Sequence, residues 1–332
     1  MTRSQGPNAV GTADPPVIIA ESLHKSFGEN NAVRGLSLSV APGTILGLLG
    51  PNGAGKTTTI NMLTTLIDID AGSASIAGFD VGSQPNQVRQ MIGLAGQSAA
   101  VDDLLTGRQN LTLFGRLYKI PRDVLARRVN ELIDRFEMGE FADRVAGTYS
   151  GGQRRRLDVV ASLVASPPAL FLDEPTAGLD PRSRAELWTE IRNLAASGTA
   201  IVLTTQYLDE ADRLADEIVI IDRGTTVASG SAAELKEDLE RDVLEVHFGS
   251  PGDVAAAARV LSDATVEVQS DRERNVLTIP VVDGARSSLE VLRRLDGSNI
   301  PLLDFQLRRP TLDDVFLTIT QTEEQSGTRG AR

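Results

Sequence analysis

Residues Gly50-Pro51-Asn52-Gly53-Ala54-Gly55-Lys56-Thr57 place glycines and a lysine at the spacing of a loop that cradles phosphate. Glycine lets the backbone curl closely around phosphate oxygens. Successive amide N–H groups then point inward and form an anion nest. A helix starting near Lys56 adds its positive N-terminal end. Lys56 supplies a point charge for the β- and γ-phosphates of a nucleotide, and the Thr57 hydroxyl can hold Mg2+. Thr58 follows directly, so the candidate ATP contacts of the loop are Gly50, Asn52, Gly53, Ala54, Gly55, Lys56, Thr57 and Thr58. An apolar run precedes the loop and a helical pattern follows it. That context separates it from a chance glycine-rich turn.

The run Leu170-Phe171-Leu172 leads into Asp173-Glu174-Pro175. Phosphoryl transfer needs a carboxylate on Mg2+, and Asp173 at a strand end suits that role. It also needs a group that orients the attacking water, and Glu174 is adjacent. Alone, the run reads as a strand entering an acidic turn. Downstream of a phosphate loop it reads as the second half of a nucleotide-hydrolysing site.

The elements that must position these residues alternate in type. Val17–Ile19 is a short apolar strand candidate, and Ala32–Val40 alternates as a half-buried strand does. Thr44–Leu49 is apolar throughout, which suits a strand buried on both faces. Lys56–Leu66 reads as a helix. From about Leu104 to Leu163 the spacing is helical and rich in charge, which marks a helical subdomain. Ala169–Leu172, Ala200–Thr204 and Glu217–Ile221 are strands separated by helices such as Arg182–Ala196, so a parallel sheet is expected. The pattern changes near Gly230-Ser231. A helix at Ala232–Leu239 is followed by strands at Val243–Phe248, Thr265–Gln269, Val276–Pro280 and Leu302–Leu307. Helices at Asp253–Leu261 and Arg286–Leu295 intervene, and another starts at Thr311 with Thr311 and Asp314 as a capping box. The order βαββαβ predicts a small α+β, ferredoxin-like module.

Composition narrows the chemistry. The 332 residues carry a net charge of −12, which argues against a binder of phosphate backbones. There is no cysteine, and the two histidines, His24 and His247, lie far apart, so thiol chemistry and a histidine-rich metal site are excluded. The polar stretch Met1–Pro16 has no apolar core of a signal peptide. No apolar run is long enough to span a bilayer. Any work at a membrane would go through a partner.

Taken together, these residues resemble the ATP-binding subunits of ABC transporters. Tyr149-Ser150-Gly151-Gly152-Gln153 looks like the signature motif of that family and precedes Asp173 by about the usual distance. Further likenesses follow. Phe27 matches an aromatic that stacks on adenine, and Gln97 matches the glutamine that reaches Mg2+ and the attacking water. Ala177-Gly178-Leu179-Asp180 resembles the D-loop. One position departs, because Gln206 stands where the family usually has a histidine. A glutamine amide can still donate to the γ-phosphate but cannot carry the charge of an imidazole. The runs Thr204–Asp212 and Arg309–Phe316 and the segment Gly147–Asp158 are similar to the daunorubicin/doxorubicin-resistance type of exporter ATPase, in which this glutamine is usual. The likeness covers about Val17 to Thr320.

The resemblance implies an α/β fold: a P-loop NTPase domain of ABC type over residues 16–230, with its helical subdomain at about 98–165. An accessory α+β domain over 231–320 and disordered tails at 1–15 and 321–332 complete the expected organisation. It implies an ATPase with ATP and Mg2+ as ligands, Mg2+ being held by Thr57, Gln97 and Asp173. Lys56, Glu174, Gln97 and Gln206 would take part in hydrolysis. It also implies a homodimer, in which Ser150, Gly151 and Gly152 contact the γ-phosphate of the partner's nucleotide, with Gln153 and Asp180 as further nucleotide-binding residues. A separate ABC-2-type permease would hold the subunit at the cytoplasmic face of the membrane for export of a drug, antibiotic or lipid. Relatives that act on chromosomes insert long heptad coiled coils, and those that act in translation carry two cassettes. Neither is present, and no nucleic-acid partner is expected. The Arg309–Phe316 run disfavours an importer subunit with a regulatory C-terminal domain.

Overall fold

The computed structural model describes residues 15–96, 100–237, 239, 241–262, 268–271 and 273–318. The expected tails at 1–15 and 321–332 lie almost wholly outside these residues. The chain forms two compact units that divide between Ser229 and Gly230.

In the first unit, β1 (Ile18–Phe27) and β2 (Asn30–Val40) form an antiparallel pair, and β3 (Ile45–Leu49) is buried at every position. Helix α1 (Lys56–Leu63) follows β3, then β4 (Ala71–Ile76), β5 (Phe79–Asp80), α2 (Pro85–Met91) and β6 (Ile92–Ala95). Next come α3 (Gly107–Leu117), α4 (Arg122–Arg135) and α5 (Gly151–Ser162). The alternation resumes with β7 (Ala169–Asp173), α6 (Pro181–Ala196), β8 (Ala200–Thr205), α7 (Leu208–Leu214), β9 (Glu217–Asp222) and β10 (Thr225–Gly230).

These strands make two sheets. One is four-stranded in the order β2-β1-β4-β5, and the other six-stranded in the order β10-β9-β3-β8-β7-β6. Strands β9, β3, β8, β7 and β6 pair in parallel. This is the parallel sheet that the alternation of apolar strands and helices predicts. The core that includes Leu46, Leu48, Phe171 and Val202 lies between the sheets, and a second core runs through α3, α4 and α5, with Leu111, Leu125, Leu132 and Leu157 buried.

Some boundaries differ from the sequence expectation for local reasons. Strand β1 runs well past Ile19, because bulges at Glu21–Leu23, with Ser22 at φ +49°, break the apolar alternation without ending the ladder. Helix α1 stops at Leu63 rather than Leu66, since Thr65 adopts φ +62° and turns the chain back through its N–H to Met62 O. Among the described residues no helix is long and apolar enough to cross a membrane.

The second unit opens with α8 (Ala232–Glu237), shorter than expected, followed by β11 (Asp242–Phe248) and α9 (Pro251–Ser262). Of the strand expected at Thr265–Gln269, residues 265–267 lie outside the described residues, and the described strand is β12 (Gln269–Asp271). Then come β13 (Val276–Val281), α10 (Gly284–Gly297) and β14 (Leu302–Arg308). The sheet order is β12-β13-β11-β14, all neighbours antiparallel. That order is what a βαββαβ chain gives when both helices cover one face. Leu244, Val246, Phe248, Leu277 and Ile279 pack there with Val254, Leu261, Val291 and Leu295 from the helices. Residues 312–318 form a last helix. Thr311 and Asp314 cap it, and Arg308 binds the same carboxylate at 2.5 Å.

Candidate functional site

The site forms where β3, β8 and β7 end side by side. Leu48 lies opposite Thr204, and Thr204 lies opposite Asp173, so the phosphate loop and the acidic pair flank a single strand. Ligand sites of open α/β sheets lie at such carboxyl ends.

The loop is threaded tightly between its neighbours. A Cβ at Gly50 would lie 2.2 Å from Ile221 O, and one at Gly55, where φ is +110°, would lie 2.5 Å from Ala32 O. Only glycine fits at both places. Helix α1 starts at Gly55 with no side-chain cap and no acid in its first turn. The positive end of a helix so placed suits an anion. The Lys56 side chain curls back into the loop, where Nζ donates to Gly50 O at 2.7 Å and Pro51 O at 3.1 Å. Burial pulls its pKa below the ordinary lysine value, and the nearby Glu174 and Asp173 carboxylates oppose that shift. A buried ammonium held only by carbonyls is a group that an incoming polyphosphate would satisfy.

Asp173 ends β7 and is only 3% exposed. Its Oδ1 accepts from Thr204 Oγ1 at 2.5 Å. The Glu174 N–H donates to Thr204 O and to Thr204 Oγ1, both at 3.1 Å. Thr204 thus orients both acids from the neighbouring strand. Glu174 itself stands in the left-handed region at φ +49°. A cavity of about 690 Å3 brings Glu174 together with Asn52, Gly53, Gly55, Lys56, Thr57, Thr58 and Phe27. Phe27 closes its outer end, half exposed, with Lys25 Nζ 5.7 Å from its ring centroid. Gly50 and Ala54 are buried behind the loop rather than in the cavity wall.

Among the described residues no three His, Asp or Glu side chains cluster as a metal site. The donor set still fits Mg2+, which takes one or two carboxylates and draws its other ligands from phosphate and water. Asp173 and Thr57 are the described residues that could hold it, and Gln97 lies outside the described residues.

The signature segment is built differently. Ser150 caps α5, its Oγ accepting from Gln153 N–H at 3.2 Å while Ser150 N–H donates to Gln153 Oε1 at 3.1 Å. The Gln153 amide is thus engaged in the cap, and the Gly151 and Gly152 backbone stands at the start of the helix. Asp180 caps α6 in the same way, accepting from Arg182 N–H and Ser183 N–H at 3.0 Å and from Ser183 Oγ at 2.7 Å. Those bonds lower its pKa. Ser150, Gly151, Gly152, Gln153 and Asp180 line a second cavity, of about 1000 Å3, to which no phosphate-loop residue contributes. Gln206 is exposed at the end of β8 and lines neither cavity.

Two site residues escaped the sequence reading of roles. Thr204 is one. The other is Arg155, which lines the nucleotide cavity from α5. Its Nε donates to Pro175 O at 2.9 Å, Nη2 to Asp173 O at 2.6 Å, and Nη1 to Gly96 O at 2.5 Å and to Asp158 Oδ2 at 3.2 Å. The signal was present in Arg154-Arg155-Arg156, with an acid three residues beyond Arg155, but a basic run on a helix ordinarily faces solvent.

The sequence model described as ABC transporter matches residues 33–177, and the model described as ATP-binding protein DrrA1-3-like, C-terminal domain, matches residues 230–320. The chain is 46% identical to the daunorubicin resistance ATP-binding protein DrrA2 of Streptomyces coeruleorubidus, over 92% of this chain and 96% of that one. It is 44% identical to the daunorubicin/doxorubicin resistance ATP-binding protein DrrA of Streptomyces peucetius, over 94% of each. A Nod factor export ATP-binding protein I of Ralstonia nicotianae is 36% identical over 97% of this chain and 99% of its own length. Among solved structures, an ATP-binding subunit of an ABC transporter superposes with a TM-score of 0.62 at 26% identity, covering 67% of this chain and 92% of its own.

Proposed function

This chain belongs to the daunorubicin-resistance group of ABC-transporter ATP-binding subunits and is an ATPase coupled to transport, and we propose that it works as a homodimer which drives a separate ABC-2-type permease in exporting a drug, antibiotic or lipid. The cavity that joins the phosphate loop, Phe27 and Glu174 carries the ATPase part of this reading. In it Phe27 stacks on the adenine, Lys56 and the loop amides hold the phosphates, and Glu174 orients and deprotonates the attacking water. Asp173 and Thr57, with Gln97, would hold Mg2+, which when bound would neutralise charge developing on the phosphates. Gln206 donates to the γ-phosphate.

The separation of the two cavities supports the dimer. Ser150–Gln153 and Asp180 line no wall of the phosphate-loop cavity of their own chain. Packed head to tail, two copies bring each signature to the nucleotide of the other, and each chain contributes half of both sites. ATP then favours the closed pair and hydrolysis releases it.

The permease would dock at the cytoplasmic face of the membrane, on a groove of about 340 Å3 that includes Leu66, Phe114, Leu117 and Tyr118. Leu66 is 61% exposed and Leu117 68%, although both are large and apolar. Ala100 lines the same groove.

Two variants test the reading. Glu174→Gln keeps the shape of the side chain and removes the base, so turnover should fall by about 10²–10⁴-fold. ATP should then accumulate on a stable dimer, visible as a shift in size-exclusion elution. Lys56→Ala should abolish both binding and turnover. Parent-like turnover in Glu174→Gln, or parent-like affinity in Lys56→Ala, refutes the assignment.

A further inference from the structure

Arg155 has the bonding of a group that holds a catalytic loop rather than of a simple ion-pair member. Three of its hydrogen bonds go to the backbone carbonyls of Gly96, Asp173 and Pro175, and only one goes to its acidic neighbour Asp158. Two of those carbonyls, Asp173 O and Pro175 O, flank Glu174 in the chain. The third, Gly96 O, precedes residues 97–99, and Asp158 Oδ1 accepts from Ala100 N–H at 3.0 Å on their other side. The pair therefore grips the backbone before and after that segment. A guanidinium can reach several carbonyls at once with its rigid fork of donors, whereas an ammonium offers one point of charge.

Glu174 needs such support. It sits at φ +49°, a conformation that persists for a residue with a Cβ only where its surroundings over-determine it. Thr204 restrains Glu174 from the side of β8, through its N–H, and Arg155 restrains the carbonyls of both neighbouring residues from α5. Helix α5 starts at Ser150, about 7–8 Å of helix rise from Arg155. Leu157 and Val160, on the far side of the helix from Arg155, are buried in the core, and Val159 is buried one turn on from Arg155. Movement of its signature end is therefore carried to Arg155 by one rigid element.

On the homodimer reading above, we propose that Arg155 is a positioning residue which seats Glu174 of one ATP site in response to the nucleotide that its own signature grips in the other. Contact of Ser150–Gly152 with the partner's ATP sets α5, α5 sets Arg155, and Arg155 sets the carbonyls of the residues on both sides of Glu174. Each site then hydrolyses efficiently only when the other is filled.

The test uses the full-length chain with Arg155→Met, Arg155→Lys and the double variant Arg155→Met/Asp158→Leu. The double variant removes both buried charges and so guards against loss of fold from an unpaired carboxylate. Equilibrium binding of a fluorescent ATP analogue, kcat, KM and the Hill coefficient for MgATP are measured for each. Affinity should stay within about 3-fold of the parent, while kcat falls by about 100-fold, the effect of misplacing a reacting group by about 1 Å. Arg155→Lys should not restore the rate. The residual turnover should lose its cooperativity, the Hill coefficient dropping to about 1. A double variant with parent-like kcat overturns the proposal. So does a rate loss that follows weaker binding alone, a residual activity as cooperative as the parent, or a parent with no cooperativity. Should Glu174→Gln and Lys56→Ala also turn over ATP at the parent rate, the failure lies in the ATPase assignment rather than in Arg155.

Discussion

Glu174 occupies a backbone conformation that its side chain disfavours, and that makes the position a direct test of function placed against stability. At φ +49° it lies in the left-handed region. For a residue with a Cβ this costs about 1–2 kcal/mol. Glycine avoids the strain but gives up about 0.5–1 kcal/mol of chain entropy on folding. Glu174→Gly should therefore range from neutral to about 1 kcal/mol more stable than the parent. Glu174→Ala loses the same carboxylate and keeps the strain, so it should be less stable than Glu174→Gly by about 1 kcal/mol. In a domain of this size that difference is about 2–4 °C in Tm. The melts must be run without nucleotide, because a ligand bound to the native state adds stability of its own. ATP turnover, measured on the same preparations, should fall by about 10²–10⁴-fold in both variants. An alanine variant as stable as the glycine variant refutes the strain argument. A glycine variant that hydrolyses ATP normally refutes the role of the carboxylate.

Two other perturbations address groups around the site. Thr204→Val keeps the shape of the side chain but removes the hydroxyl that donates to Asp173 Oδ1 at 2.5 Å and accepts from Glu174 N–H at 3.1 Å. It should cost about 1–3 kcal/mol of stability in denaturant melts and raise the Mg2+ concentration needed for half-maximal turnover; an unchanged Mg2+ requirement counts against the bridging role. Glu210 is wholly buried on α7, its Oε1 accepting from Trp188 Nε1 at 2.8 Å, and burial raises its pKa against the opposing bond from Trp188. The folded state thus holds this proton more tightly than the unfolded state does, so Glu210's contribution to stability falls as pH rises from the ordinary carboxylate range through the raised pKa. Trp188 is the single tryptophan of the chain, so its emission should show a step in that window and lose it in Glu210→Gln; a step that survives the substitution refutes the assignment.

What could be read in the sequence is what is local in the chain. The phosphate loop works through the spacing of Gly50, Gly53, Gly55 and Lys56 within a few residues, and its clearances from Ala32 O and Ile221 O only restate why glycine is needed. Capping by Ser150 and Gln153, by Asp180 and Ser183, and by Thr311 and Asp314 also spans three residues each time. The strand β1 was only partly legible, because its bulges at Glu21–Leu23 cancel the alternation that marks a strand. The restraints on Glu174 were harder to read, since they come from sheet order and from the packing of α5, and the basic run Arg154-Arg155-Arg156 ordinarily marks a solvated face. Thr204 meets Asp173 only because β8 lies beside β7, and Arg155 meets Gly96 O and Asp173 O only because α5 packs beneath both strand ends. This difference in range bears on how the site works. The candidate phosphate contacts of the loop are set by short-range geometry. The residues that seat the catalytic carboxylate depend on elements distant in sequence, one of which begins at the signature. On the proposed reading, the phosphate contacts and the seating of Glu174 therefore draw on different parts of the chain.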